Sequence, residues 1–411
     1  MKIKAITAAA LALAVLAGAA GCGKASEATK TAMEKETSAS AAAATQTAAK
    51  KTPAPESAAK STPGDQTKYT EFSKRCMRNL DYIGENLKNR DLTEKGEKKK
   101  TDHDRARDWI VSEILKAGYS KDAVELMPFT AKGDFGVGTY EGKNIILTVK
   151  GSDTSKQIIV GAHYDGDGVS DNGSGTALLL GAVQELAGRT PDYTVKYIFF
   201  DGEEAGELGS DAYAKAMSDS EIKRTACMVN IDAIGFGDYC NIYGGVQDDD
   251  KRTVEKTGAY ELAVKKAREL GIKVYTTRDL DGYYKKHGKG PEKEANALFT
   301  NPWTYENPAP ENADKVSPTT VDASDHVPFA DRGIEYVYME ATNWYVKKGL
   351  PDSFTGYFDT DNSKIGADGM FMNTKYDTLK NLGKYYPGRA EEHFRTYSRL
   401  LASLIMAPKQ K

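Results

Sequence analysis

Cysteine and histidine are both scarce in this 411-residue chain, four of the first and five of the second. No CxxC pair and no Cys/His spacing of the thiolate kind occurs, so any metal must be held by carboxylate and imidazole. Positive charge is not in excess either: the formal net charge is −3 and the pI is near 6.1. That balance offers no basic field for nucleic acid, and the Lys-rich stretch 95–100 reads as a solvated loop. Beyond the N-terminus no segment is apolar enough to cross a bilayer.

The N-terminus itself carries Lys2 and Lys4, an uncharged apolar run over 5–20, and then Gly21 and Cys22. This is the layout of a bacterial export signal, and the run is too short for a comfortable membrane span. Ala19-Ala20-Gly21-Cys22 resembles a lipobox, with Ala where Leu is usual, which makes Cys22 the expected lipidation site. Residues 1–21 are then a signal peptide, and 22–68, dominated by Ala, Thr, Ser and Lys, a structureless tether. The expected location is the extracytoplasmic side of a cell membrane, held by the lipid. Residues 69–411 show no further linker composition and read as one large domain. Export permits one disulfide among Cys76, Cys227 and Cys240, with Cys227 and Cys240 the nearer pair in sequence.

Within the domain, apolar residues at Ala106, Trp109, Ile110, Ile114 and Leu115 predict a helix over 105–117, closed by Gly118. Runs rich in Ile, Val, Tyr and Phe predict strands at 144–149, 157–162, 195–200, 226–231 and 334–339. Helical patterns fall at 176–187, 210–217 and 259–270. The alternation predicts a single α/β domain with a twisted, mostly parallel central sheet flanked by helices. Ligands of such sheets sit beyond the carboxyl ends of the strands. His163 and Asp165 follow one strand, Asp201 to Glu204 another, and Asp232 a third.

An imidazole and a carboxylate near one another, His163 and Asp171, suit zinc. Asp165 reads as the acceptor that fixes the His163 tautomer, and Asp167 as plain loop. Glu203 and Glu204 stand side by side, which a cation or a shared proton must neutralise. One ligand and one general base is the economical reading of that pair.

The ordered motifs H-Y-D, D-N-G-S-G, D-G-E-E, N-I-D, S-D-H and N-T-K-Y-D-T, spread over 105–382, resemble the co-catalytic zinc exopeptidases. That family includes aminopeptidase Y, bacterial leucine-preferring aminopeptidases and, as a branch, glutaminyl cyclases. The resemblance implies a phosphorylase/hydrolase-like fold and zinc as cofactor. It implies His163 and Asp232 as ligands of one zinc, Asp171 as the bridging carboxylate, Glu204 as ligand of the other zinc and Glu203 as general base. The last ligand of the family is a His, whose place here is taken by Asn373, a weaker donor. One zinc site is therefore expected, with the second in question.

Among the other histidines, His103 lies before the predicted core, His287 in a Lys- and Gly-rich stretch, and His393 in a C-terminal helix. His326, in the S-D-H motif, supports the substrate pocket or the packing around it, or stands in for the missing His ligand. The stretch 243–321 exceeds the family pattern and reads as an insertion, either surface decoration or a wall of the cleft. Glu340 pairs with a substrate amino group or is a surface carboxylate. The expected activity is hydrolysis of N-terminal residues from peptides outside the cytoplasm, by water that zinc activates. Glutaminyl-cyclase-like acyl transfer, or a peptide-binding lipoprotein with weakened catalysis, are the alternatives.

Overall fold

Seven runs rich in β-branched and aromatic residues form the strands β1 (Val124–Ala131), β2 (Tyr140–Val149), β3 (Asp153–His163), β4 (Tyr193–Phe200), β5 (Thr225–Ile231), β6 (Tyr239–Tyr243) and β7 (Tyr336–Thr342). They pair in the order β1-β2-β4-β3-β5-β7-β6, and two-residue strands Tyr275–Thr276 and Trp303–Thr304 extend the β6 edge. This computed structural model describes residues 63–248, 253–255, 257–276, 299–300, 303–304, 316–318, 323–342, 360, 371–372 and 374–408. The sheet is mixed. Its four central strands, β4, β3, β5 and β7, run parallel, while β2 pairs antiparallel with β4 and with β1, and β6 antiparallel with β7. β4 and β5 are buried along nearly their whole length, as strands covered on both faces must be.

Helices cover both faces. α1 (Pro63–Asn86), α2 (His103–Lys116), α3 (Gly173–Glu185), α6 (Gly258–Glu269) and α9 (Arg389–Met406) pack with Ile158, Val160 and Ala162 of β3. The opposite face carries α4 (Leu208–Ala216) and α7 (Val327–Ala330), which meet over Ile159, Phe200 and Met228. α5 (Asp219–Arg224) and α8 (Leu379–Tyr385) complete the described helices.

α1 corrects the expected boundary at 69, because its backbone is helical from Pro63, six residues inside the stretch read as tether. Proline suits a first helical position, and the later turns of the helix hold it in place. Phe72, Cys76, Leu80, Ile83 and Leu87 are buried at helical spacing against α3 and α9. Each large apolar side chain so buried contributes about 1.5–3 kcal/mol, enough to outweigh the weak propensity of the polar first turns. The two helices approach closely: a Cβ at Gly181 of α3 would stand 2.5 Å from the Cys76 sulfur. Residues 1–62, with the expected signal, most of the tether and Cys22, lie outside the described residues. So do His287, Asn373 and most of the expected insertion over 243–321.

The disulfide does not form: Cys76, Cys227 and Cys240 are all free and buried. Cys227 on β5 and Cys240 on β6 have β7 between them. Two strand spacings make about 9–10 Å, beyond the reach of a disulfide. Alkylation of the unreduced, unfolded chain and subsequent peptide mass spectrometry are expected to show Cys76, Cys227 and Cys240 fully labelled. A Cys227–Cys240 linked peptide would overturn this arrangement.

Candidate metal centre

The parallel centre of the sheet delivers the acidic side chains to one edge. His163, last residue of β3, stands level with Phe200, last of β4, and Ile231 at the end of β5 pairs with Met339 of β7. The segments leaving these strands, 164–171, 201–207 and 232–236, therefore converge, as the carboxyl edge of a parallel sheet requires.

His163 is fully buried, and its Nε2 lies 3.2 Å from Asp171 Oδ1, 3.2 Å from Asp232 Oδ1 and 3.7 Å from Glu203 Oε2. Two sets of side chains can each offer converging donor atoms within 4.8 Å of one another: His163, Glu203 and Asp232, and His163, Asp171 and Glu204. Donor atoms on a zinc tetrahedron stand roughly 3.3 Å apart, from bond lengths near 2 Å. The spacing of His163 to Asp171 and Asp232 matches that edge. Asp171 Oδ1 is buried with no hydrogen-bond partner among the described residues, which is the state of an atom shaped for a cation. The imidazole's other nitrogen, Nδ1, lies 3.5 Å from Asp165 Oδ1. The residues present thus fit a zinc ion.

Each segment is fixed by side chains outside the cluster. Asp377 accepts the backbone N–H groups of Val169 (3.0 Å) and Ser170 (2.7 Å) on Oδ1 and that of Asp171 (3.1 Å) on Oδ2. Asn172 caps α3 by accepting from Gly175 N–H and donates to Ile231 O, tying the Asp171 segment to the end of β5. Asp165 accepts the N–H of Glu203 (3.2 Å) and Glu204 (3.3 Å), so one carboxylate orders both glutamates as well as facing the imidazole. Ser324 Oγ donates to Asp232 Oδ2 at 2.7 Å. At Gly166, where φ is +87°, a Cβ would come within 2.8 Å of Glu204 Oε1, so a side chain there would displace that carboxylate.

The sequence profile described as peptidase family M28 matches residues 144–396, more than half of the chain. The chain belongs to peptidase family M28. It is 25% identical over 283 residues to the alkaline phosphatase isozyme conversion protein of Escherichia coli (strain K12), across 64% of this chain and 70% of that protein. To leucine aminopeptidase 2 of Trichophyton rubrum it is 34% identical over 107 residues, 25% of this chain but only 22% of the fungal protein. It therefore spans about a fifth of that relative. Among solved structures, a zinc aminopeptidase from Bacillus subtilis aligns with a TM-score of 0.53 at 14% identity, across 82% of this chain and 96% of that one. At such identity the likeness shows a shared fold.

In this M28 peptidase the cluster's charges crowd each other. Burial pushes the carboxyls of Glu203 and Glu204 well above the usual range, and neighbouring carboxylates add to it, Asp232 beside Glu203 and Asp171 beside Glu204. Burial and the adjacent Asp232 raise Asp171 to about 6. Burial acts on Asp232 in the same direction, yet His163 and Ser324 outweigh it and hold Asp232 low. For His163 burial works against the charged ring, but Asp232 and Glu203 raise it well above its ordinary value.

The remaining expected residues take varied places. Asn373 lies outside the described residues, so the final ligand position is not placed. His326 is buried against the rings of Tyr336 and Tyr338 (centroids 4.4 and 4.7 Å) and joins neither candidate metal set. Glu340 is 1% exposed, which removes the surface reading; its Oε1 accepts from Tyr338 OH at 3.2 Å. Asp167 does more than a plain loop residue: Oδ1 accepts the Arg90 N–H, and Oδ2 pairs with Lys100 Nζ at 3.2 Å. His103 belongs to the buried interior, 2.8 Å from Asp201, contrary to its position before the predicted core. His393 sits on α9 as expected, with Nδ1 2.7 Å from Ile234 O. Asp377 and Ser324 carried no assigned role in the sequence, although both stand in quoted motifs.

Asp171 sets a pH dependence. Its carboxyl is raised from 3.8 to about 6, so without a cation the folded state favours its protonated form. That preference stabilises the fold fully below pH 4 and is lost as pH rises through 6. Zinc competes with that proton and with those on His163 and Glu204, so its apparent affinity is expected to fall at least about tenfold per pH unit below 6. Thermal melts with zinc and with chelator should therefore differ more at pH 7.5 than at pH 5.5. An equal gap at both pH values would rule out this coupling.

Proposed function

We propose that the protein is a zinc-dependent aminopeptidase that removes N-terminal residues from peptides outside the cytoplasm. The observation that carries it is the His163 Nε2 facing Asp171 and Asp232 at 3.2 Å each, with Glu203 beside them. His163 and Asp232 would hold one zinc, with Asp171 shared toward Glu204. When bound, zinc polarises the scissile carbonyl and makes a water acidic enough to attack it.

The chain's own residues do the rest. Asp165 Oδ1 faces the imidazole's Nδ1 at 3.5 Å, so a small approach would let it accept that N–H and leave Nε2 to ligate. Glu203 is 16% exposed at its side chain, so it is near enough to solvent to meet substrate. Burial raises its affinity for a proton, as a group that must take one up requires. Glu203 takes a proton from the attacking water and passes it to the leaving amine. Glu340 comes directly after Met339, the partner of Ile231, and so stands level with Asp232 across the sheet. That register supports Glu340 as the group that receives the free amino terminus and restricts cleavage to chain ends.

The single imidazole shared by both candidate sets supports one tightly held zinc, and the family's final His position reads Asn373 in the sequence. The same Asn373 weakens the rival reading, single-zinc acyl transfer of the glutaminyl cyclase kind, which would use Asp171, Glu204 and that position for its zinc. Aminoacyl chromogenic substrates and peptides with N-terminal Gln, each with and without chelator, separate the two. Chelator-sensitive amine release and about one zinc per chain by elemental analysis are expected. Glu203→Gln should lower kcat by about 10²–10⁴-fold with zinc retained. Cyclisation without amine release would replace the reading, and wild-type turnover by Glu203→Gln would remove its general base.

Export and lipid attachment at Cys22 rest on the charged, apolar and small-residue pattern of 2–22. Cells fed labelled fatty acid should incorporate label into the wild-type protein and not into Cys22→Ala. Label in both, or in neither, would sink the anchor.

A further inference from the structure

The family match begins at residue 144, yet two buried side chains from well before it reach the segments that carry the candidate ligands. Arg90 is 2% exposed. Its guanidinium donates from Nε to Tyr164 O (3.2 Å), from Nη2 to Gly168 O (2.7 Å) and from Nη1 to Leu87 O. Tyr164 and Gly168 bracket the turn between His163 and Asp171, and Asp167 within that turn accepts the Arg90 backbone N–H at 2.9 Å. His103 acts on the neighbouring segment. Its Nε2 lies 2.8 Å from Asp201 Oδ1, and its ring stacks on Tyr164 with centroids 5.6 Å apart. Asp201 Oδ2 accepts from Tyr164 OH and from Lys143 N–H, both at 2.8 Å, two residues before Glu203. The two side chains belong to one strap, because Asp102 Oδ2 accepts the N–H groups of Lys88 (2.9 Å) and Asn89 (3.1 Å).

We propose that the strap 87–103 is part of the metal centre, with Arg90 and His103 as positioning residues that hold the His163–Asp171 and Glu203–Glu204 segments at ligating distance. This rests on the reading of that centre as a zinc site. The physical need is plain: the carboxylates repel one another, and the turn between them carries Gly166 at φ +87°, a residue that adds little stiffness of its own. A planar guanidinium with donors on three edges reaches three carbonyls at once. A lysine's three donors radiate from a single nitrogen and cannot span the separated carbonyls that the fork reaches. Partners of this outer kind commonly matter 10–100-fold in metal affinity.

The test uses the full chain, with zinc affinity read by competition against a chromogenic chelator. Amide exchange of the zinc-free protein is monitored in 164–171 and 201–206. Arg90→Lys and His103→Ala should each weaken zinc binding about 10–100-fold and speed exchange in their own segment, while β3 and β5 stay protected. His103→Gln, which keeps an N–H for Asp201, should recover most of the affinity. If Arg90→Lys does not fold, the His103 pair decides by the same criterion. Affinity within threefold of wild type in the folded variants, with His163→Ala unable to bind zinc, overturns the strap alone. Equal zinc binding by wild type and His163→Ala overturns the zinc reading and the strap with it.

Discussion

One buried imidazole among several carboxylates is the constraint on which the rest of this structure depends. His163 has Asp171, Asp232 and Glu203 within 3.7 Å of Nε2, and Glu204 joins through Asp171. Two like charges about 4 Å apart repel by about 4 kcal/mol near a protein surface, and a single protonated ring cannot offset four carboxylates. The pocket responds by taking up protons, as the raised carboxyls of Glu203, Glu204 and Asp171 record. A divalent cation relieves the same repulsion without that uptake, so charge and geometry both suit a metal cation.

Holding repelling groups together requires support from elsewhere. Asp377 grips three consecutive N–H groups from 206 to 208 residues away. Ser324 reaches Asp232 from the segment before α7, and Asp165 orders the two glutamates. Arg90 and His103 add a grip from the N-terminal side. These supports come from segments distant in sequence because the cluster's own segments are short and glycine-rich, with little apolar surface to anchor themselves.

How legible this was varied with the signal. The helices over 105–117, 176–187, 210–217 and 259–270 and the five expected strands are all present, displaced by a few residues at their ends, because their side chains face a core and so keep a period. β1 was illegible, since as an edge strand it is largely exposed and lacks a dense apolar run. The start of α1 was hidden by polar residues that only its packed remainder makes helical. Among site residues, those at strand ends stood out by residue type. Asp377, Ser324, Arg90 and His103 did not, because an aspartate holding backbone amides looks like any surface aspartate until its partners are folded against it.

By itself the sequence determined the α/β class, the delivery of His163, Glu203, Glu204 and Asp232 to the carboxyl ends of successive strands, and the scarcity of imidazole. These are local matters, set by side-chain period and by residue type at the end of a run. The tertiary structure alone decided that β2 and β6 run against the parallel centre of the sheet and that the three described cysteines stay apart. It also decided that Glu340 is buried and that a strap preceding the matched peptidase region closes on the metal segments. Each of those depends on which distant segments become neighbours, and that is settled by how the whole core packs rather than by any stretch of chain.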